Sequence, residues 1–250
     1  MKYKYCGYLD NGIEFGSDKI NLCNRCAHTG GGNLTVASYN DKKHYLFTFQ
    51  IEDFIKFRNK IIEYFKQGKN YASCNGCMDL QEQDTPPYQN YKNKIGNIIF
   101  HHWTKCNSKC TYCYTNANKE YFNTRKAYKV YPILKEMEKK NYLETEGIAN
   151  FAGGEISCLD EFEDIYKILK KYNYFIIFNS SAIKYEKSIE EYLKEEIGLL
   201  IVSIDAGYKE THRKIKQVDT FEKVWKNLKN IHVALMTNRK FSLNIFFYNA

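Results

Sequence analysis

From residue 95 onward the sequence repeats one pattern, a short apolar run followed by a segment of helical period, and that pattern leaves few folds open. The apolar runs fall at 97–102, 147–152, 174–178 and 199–204, and helix-period segments follow at 124–140, 160–171, 186–196 and 220–231. Strands alternating with helices of this length predict parallel βαβ units. Leu199, Leu200, Ile201 and Val202 are apolar in succession, as a strand covered on both faces requires. A further run at 242–248 begins just before the chain ends. The pattern therefore predicts an α/β fold of about five parallel strands and four crossover helices, an open sheet or part of a (β/α) barrel. The last run has no helix after it, which reads as an exposed edge and as a truncated design.

The polar stretch 81–90, QEQDTPPYQN, holds the only adjacent prolines. It marks the expected boundary between a small cysteine-rich module at 1–90 and an incomplete α/β core at 91–250. The first part shows one helical segment, 52–67, in which Phe54, Ile55, Ile61, Ile62 and Phe65 recur at helical spacing, with Gly68 as C-cap.

A chain of 250 residues can bury one sizeable core and a smaller appended module. Its formal charge of +8 is spread out and never condenses into a basic run. The lysines read as solvated helix faces, so a nucleic-acid partner is not favoured, although the charge leaves an RNA substrate open. The N-terminus MKYKYCGYLDNG lacks the apolar stretch of a signal peptide. No window reaches the roughly 18 apolar residues of a membrane span. Nine cysteines in such a chain read as metal ligands before disulfides, which fits a reducing cytoplasm.

Three of them, Cys106, Cys110 and Cys113 in KCNSKCTYCYT, follow the first predicted strand directly. In β/α folds that C-terminal rim carries the active-site loops. Three thiolates this close can hold an iron–sulfur cube and leave one iron open. The alternative is a structural zinc completed by another cysteine or by His101 or His102. The second strand ends in Phe151-Ala152-Gly153-Gly154-Glu155. There the glycines allow close approach of a ligand and the carboxylate can take an ammonium group; read alone, the same residues are a tight turn. The third strand leads to Asn179-Ser180-Ser181, and the fourth to Ser203, Ile204 and Asp205 before Gly207, adding small polar groups to one rim.

These residues resemble the radical S-adenosylmethionine (radical SAM) superfamily, over roughly residues 95 to 231. The resemblance rests on Cys106, Cys110, Tyr112 and Cys113, then Gly153-Gly154-Glu155, then the polar later strand ends. It implies a partial barrel with a 4Fe–4S cluster on Cys106, Cys110 and Cys113, whose open iron chelates the amino and carboxylate groups of SAM. It also implies backbone contact of Tyr112 with the adenine and of Gly153, Gly154 and Glu155 with the SAM amino group. Ser181, Ser203 and Asp205 are similar in place to polar SAM contacts, and Lys216 to a basic residue facing the SAM carboxylate. The implied reaction takes an electron from an external flavodoxin- or ferredoxin-type donor. It cleaves SAM to methionine and a 5′-deoxyadenosyl radical, which abstracts hydrogen from a substrate, with peptide or protein modification favoured by analogy. Relatives often carry proline after GGE, where this chain has Ile156, and commonly have six βα units, where this pattern stops in the fifth.

A second constellation comprises Cys6, the pair Cys23 and Cys26, and the pair Cys74 and Cys77. Two CxxC pairs can complete a tetrahedral zinc site, or an auxiliary iron–sulfur cluster with Cys6 as a substitute ligand; free buried cysteines are the remaining option. Cys158 reads as a small buried filler. His101 and His102 sit on a strand and face opposite sides. The glycine run 30–32 lacks the Lys-Ser/Thr of a phosphate loop and reads as a loop. The competing reading of the whole chain is a zinc-binding interaction module joined to an inactive, truncated radical SAM remnant.

Overall fold

The computed structural model describes residues 2–23, 34–38, 49–89, 91–113, 128–195, 197–235 and 245–246. Cys26, the 30–32 glycine run and the expected helical stretch 124–127 lie outside them.

In chain order, β1 (Tyr3–Tyr5) leads through a short helix α1 (Gly7–Asn11) to β2 (Gly12–Phe15), β3 (Lys19–Asn21) and β4 (Thr35–Ser38). Helix α2 (Ile51–Lys66) and β5 (Gln81–Gln83) follow. The repeating part then runs β6 (Ile95–Phe100), α3 (Tyr131–Lys139), β7 (Leu143–Phe151), α4 (Phe162–Lys171), β8 (Phe175–Ser180) and α5 (Lys187–Lys194). It continues with β9 (Gly198–Ser203), α6 (Lys209–Lys216), α7 (Phe221–Leu235) and β10 (Ile245–Phe246).

One eight-stranded sheet has the order β10-β9-β8-β7-β6-β2-β3-β4. From β10 to β2 every pairing is parallel, while β3 and β4 are antiparallel. The predicted parallel α/β architecture is therefore present, and the sheet also crosses the expected boundary near residue 90. β2 pairs with β6 from Gly12↔Asn97 to Phe15↔Phe100, so the N-terminal segment extends the same sheet and shares its apolar core. Among the described residues, only β1 and β5 stand apart from this sheet, as an antiparallel ribbon of their own.

Most element limits fall within a few residues of expectation. β6 begins and ends two residues earlier than expected. His101 and His102 consequently lie just beyond the strand. Helix α3 begins only at Tyr131, where Pro132 occupies the first turn, the one place in a helix that tolerates its missing N–H. Helix α6 is an addition to the expected elements. Its sequence KETHRKIK buries only His212 and Lys216, so no apolar stripe announces it.

Register builds the core. Phe15, Phe100, Phe151 and Phe178 are direct partners across β2, β6, β7 and β8, all fully buried. Successive ring centroids are 5.6, 4.7 and 6.2 Å apart. Each such ring withdrawn from water contributes roughly 1.5–3 kcal/mol. The alternate row, Ile99, Asn150, Ile177 and Leu199, is only partly buried and faces the other side of the sheet.

Candidate SAM and cluster site

Beyond β6 the chain forms a loop, 101–113, that later parts of the sheet hold by backbone bonds. Gly154 N donates to Trp103 O at 2.8 Å, and Glu155 N to Lys105 O at 3.0 Å. The Trp103 indole N–H returns a bond to Glu155 O at 3.0 Å. On the far side, Lys109 N donates to Lys216 O at 3.0 Å and Thr111 N to Ile215 O at 2.9 Å. Those acceptors are terminal carbonyls of α6, which a helix end leaves without partners of its own. Ser181 Oγ adds a bond to Asn107 Oδ1 at 3.0 Å. Three separate βα connections thus position the cysteine loop.

Gly153 and Gly154 are required by this contact. A Cβ on Gly153 would stand 2.7 Å from Trp103 O and 2.8 Å from its ring. On Gly154 it would stand 2.3 Å from Lys105 O. The close approach expected of a ligand is here made by the protein's own loop.

The resulting cavity, about 140 Å³, is lined by Cys106, Cys110, Tyr112, Cys113, Gly153, Gly154, Glu155, Ser181, Ser203 and Lys216, together with Ser108, Asn179 and Ser180. Every expected site residue of the radical SAM resemblance except Asp205 is therefore on its wall. Asn179 and Ser180 belong to the polar strand end read from the sequence; Ser108 is not announced there, because a lone serine carries no spacing signal. A larger cavity of about 710 Å³ lies elsewhere, lined among others by Asp10, Tyr88, Lys94 and Glu144, and it touches none of the cysteines.

Glu155 is buried, and its carboxylate already accepts two bonds, from Ser180 Oγ and from Ser181 N, both at 2.7 Å. Asp205 and Lys216, expected as separate SAM contacts, are paired with each other. Their ion pair measures 2.5 Å with both side chains 2% exposed. Tyr112 donates its hydroxyl to the same Asp205 oxygen at 2.5 Å, while Asp205 Oδ1 is buried without a hydrogen-bond partner. Burial, reinforced by the bond to Asp205, pushes the Tyr112 phenol well above its ordinary range and keeps it protonated. Asp205 adopts the left-handed conformation, φ 66°, which aims it back at α6.

Burial pushes the Cys106 thiol up to about 11 and raises Cys110 as well. Ligation therefore has to draw their protons off. Among the described residues no three His, Cys, Asp or Glu side chains are placed to hold a single metal ion. A cube of four irons spaces its thiolates more widely than one tetrahedral ion does, so this donor set suits a cluster better than zinc. The cavity is smaller than the ~300–1,000 Å³ usual for cofactor sites. The three thiols line it together, and the unpartnered Ser108 Oγ and Asp205 Oδ1 supply free hydrogen-bonding capacity nearby.

The two histidines have opposite partners. His101 Nδ1 lies 3.1 Å from Glu14 Oε1, and Asn21 Nδ2 donates to the other Glu14 oxygen at 2.9 Å. His102 Nε2 lies 3.0 Å from Glu161 Oε1, a buried carboxylate that also accepts from Val130 N and Tyr131 N at the start of α3. Neither histidine completes the cysteine triplet.

An α/β sheet with a three-cysteine loop seated on a GGE turn defines a class of protein. Residues 100–248 match the family model described as Radical SAM superfamily, and the chain belongs to that superfamily. A curated relative, the cysteine-type anaerobic sulfatase-maturating enzyme of Clostridium perfringens (strain 13 / Type A), is 33% identical over 134 residues, covering 48% of this chain and 36% of the relative. The chain thus spans about a third of the length of the curated relatives it matches. Among solved structures, native anSMEcpe with bound AdoMet is 24% identical, with a TM-score of 0.41 over 59% of this chain and 42% of that one. Streptococcus suis SuiB bound to precursor peptide SuiA is 14% identical, with a TM-score of 0.44 over 77% of this chain and 50% of that one.

Proposed function

We propose that this chain binds a 4Fe–4S cluster through Cys106, Cys110 and Cys113, binds SAM beside it, and acts on a peptide or protein substrate. The observation that carries the reading is the shared cavity of the three cysteines, the Gly153–Glu155 turn, Ser181, Ser203 and Lys216. When bound and reduced by a flavodoxin- or ferredoxin-type donor, the cluster supplies the electron that cleaves SAM to methionine and a hydrogen-abstracting 5′-deoxyadenosyl radical.

The protein's own part is placement. Gly153 and Gly154 let the loop sit against the sheet, so the three thiols face the rim. Glu155, fixed by Ser180 and Ser181, would use its remaining lone pairs to hold the SAM ammonium group. Ser181 and Ser203 line the cavity and would offer hydroxyls, and the Tyr112 backbone would contact the adenine, as the resemblance implies. Lys216, neutralised by Asp205, would meet the SAM carboxylate as a hydrogen-bond donor more than as a net charge.

Peptide or protein modification is supported by the 33% identical relative, a sulfatase-maturating enzyme. A cytoplasmic setting is part of the proposal; no helix among the described residues is long and apolar enough to cross a membrane. The test is anaerobic reconstitution with iron and sulfide, followed by reduction in the presence of SAM. Formation of 5′-deoxyadenosine is expected. A protein that holds the reduced cluster and SAM without ever cleaving SAM would sink the enzymatic claim.

A further inference from the structure

One row of the sheet carries a polar chain that plays no part in the SAM site. Thr35, Asn21, Glu14 and Ile99 are successive direct partners across β4, β3, β2 and β6. Thr35 Oγ1 donates to Asn21 Oδ1 at 2.9 Å, and Asn21 Nδ2 donates to Glu14 Oε2 at 2.9 Å. The other Glu14 oxygen lies 3.1 Å from Nδ1 of His101, two residues past Ile99. A carboxylate only accepts, so Nδ1 carries the hydrogen and Nε2 is left as the acceptor. The Glu14 and His101 side chains are 11% and 28% exposed, so a nearly buried carboxylate backs a partly open imidazole. A carboxylate buried in a strand is costly unless its oxygens are bonded, and here Asn21 and His101 bond both.

This imidazole stands on the face of the sheet that supplies part of the cavity wall. The opposite face is covered: Phe151 packs on Phe162 of α4 and Phe178 on Tyr192 of α5, at ring-centroid distances of 5.5 and 5.9 Å. Asn179 and Ser203, both in the cavity wall, follow Ile177 and Ile201 at two-residue spacing. They therefore project on the same side as Ile99, whose row runs through Asn150 and Ile177. His101 is level with Asn179, because Phe100, Phe151 and Phe178 are direct partners one residue earlier. Two strand spacings, about 10 Å, separate them.

We infer that His101, oriented by Glu14, is the proton acceptor for the substrate. After hydrogen abstraction, Nε2 takes the proton of a substrate hydroxyl or thiol. The O–H or S–H bond breaks with its electron pair left on the substrate, and the imidazolium so formed is neutralised by the Glu14 carboxylate. A histidine held by a carboxylate on its other ring nitrogen is the arrangement of a general base. The inference rests on the peptide-modifying reading above, and narrows it to a serine, threonine or cysteine side chain as the group acted on.

The test uses the reconstituted full chain with SAM, a chemical reductant and a library of synthetic peptides, each bearing one serine, threonine or cysteine. Peptide product and 5′-deoxyadenosine are measured together by mass spectrometry. His101→Gln should lower kcat for the best peptide about 10²–10⁴-fold, with KM changed less than about threefold. Glu14→Gln should lower kcat at least about tenfold with the imidazole still present. In both variants the ratio of 5′-deoxyadenosine to peptide product should rise at least about tenfold, because hydrogen abstraction precedes the proton transfer. Either variant can lose its fold, so nitrogen NMR of the histidine-labelled wild-type chain reads the tautomer directly, and His101 is expected to carry its hydrogen on Nδ1. Wild-type kcat in His101→Gln, or a His101 hydrogen on Nε2, would overturn this inference and leave the peptide-modifying reading standing. A wild-type chain that modifies no peptide would overturn both.

Discussion

Replacing Gly154 by alanine puts a methyl carbon 2.3 Å from the carbonyl oxygen of Lys105 and 2.8 Å from the carbonyl carbon of Thr104. Both obstacles are backbone, so no rotamer change relieves the overlap. The loop has to back away until the contact exceeds about 3.0 Å. That movement stretches the two bonds that seat it, Gly154 N to Trp103 O and Glu155 N to Lys105 O. Losing them costs about 1 kcal/mol each, and overpacking adds about 1–3 kcal/mol. The expected destabilisation is therefore about 3–5 kcal/mol, measured by anaerobic urea unfolding, with iron content after reconstitution falling in parallel. Gly207→Ala is the control, since nothing lies within 4 Å of its added carbon; it should stay within about 0.5 kcal/mol of wild type. A Gly154→Ala protein with wild-type stability and full iron content would refute the claim that the glycine pair exists to seat the cysteine loop.

Removing one member of the buried Asp205–Lys216 pair leaves the other charged and unpaired, so Lys216→Met should cost about 3–5 kcal/mol. Adding Asp205→Asn should recover part of this loss in a double-mutant urea series, and simple additivity would contradict the pairing. Glu155→Gln turns an amide donor toward Ser181 N or Ser180 Oγ, with an expected loss of about 1–3 kcal/mol; an unchanged unfolding curve would show the carboxylate to be dispensable for the fold. Burial lowers the pKa of His102, with the Glu161 bond opposing it. Burial works to raise Glu161, but the His102 bond and the amides of Val130 and Tyr131 bring it below its ordinary value. Both folded pKa values are depressed, so the unfolded chain binds more protons in acid and stability falls with pH, first below about 6.5 and again below about 4.5. His102→Asn should flatten the first limb in thermal melts; a mutant with the wild-type slope would show that the pair does not control it.

The sheet was legible where residues announce it singly. Leu199 to Val202 read as a strand covered on both faces and do form a strand, although Leu199 and Ile201 are only partly buried, and the cysteine loop is placed because it follows an apolar run directly. β2 and β3 are too short to show a period, and Glu14 interrupts β2 with a carboxylate that only Asn21 and His101, from other elements, make tolerable. Helix α6 hides for a related reason: its two buried residues are a histidine and a lysine. At the site, residue types were legible while their partners were not. The glycines of 153–154 read as room for a ligand and are filled by Trp103 and Lys105. Asp205 and Lys216 read as two contacts and prove to be one ion pair, because nothing local in the sequence couples a strand end to the last turn of the next helix.

The central claim is that Cys106, Cys110 and Cys113 hold a cluster whose open iron takes SAM. Electron paramagnetic resonance of the reduced, reconstituted protein, recorded with and without SAM, tests it most directly. The account predicts a cluster signal that changes when SAM is added, and no SAM-responsive signal in the triple alanine variant. A spectrum indifferent to SAM, or a SAM-responsive signal that survives loss of all three cysteines, would contradict it.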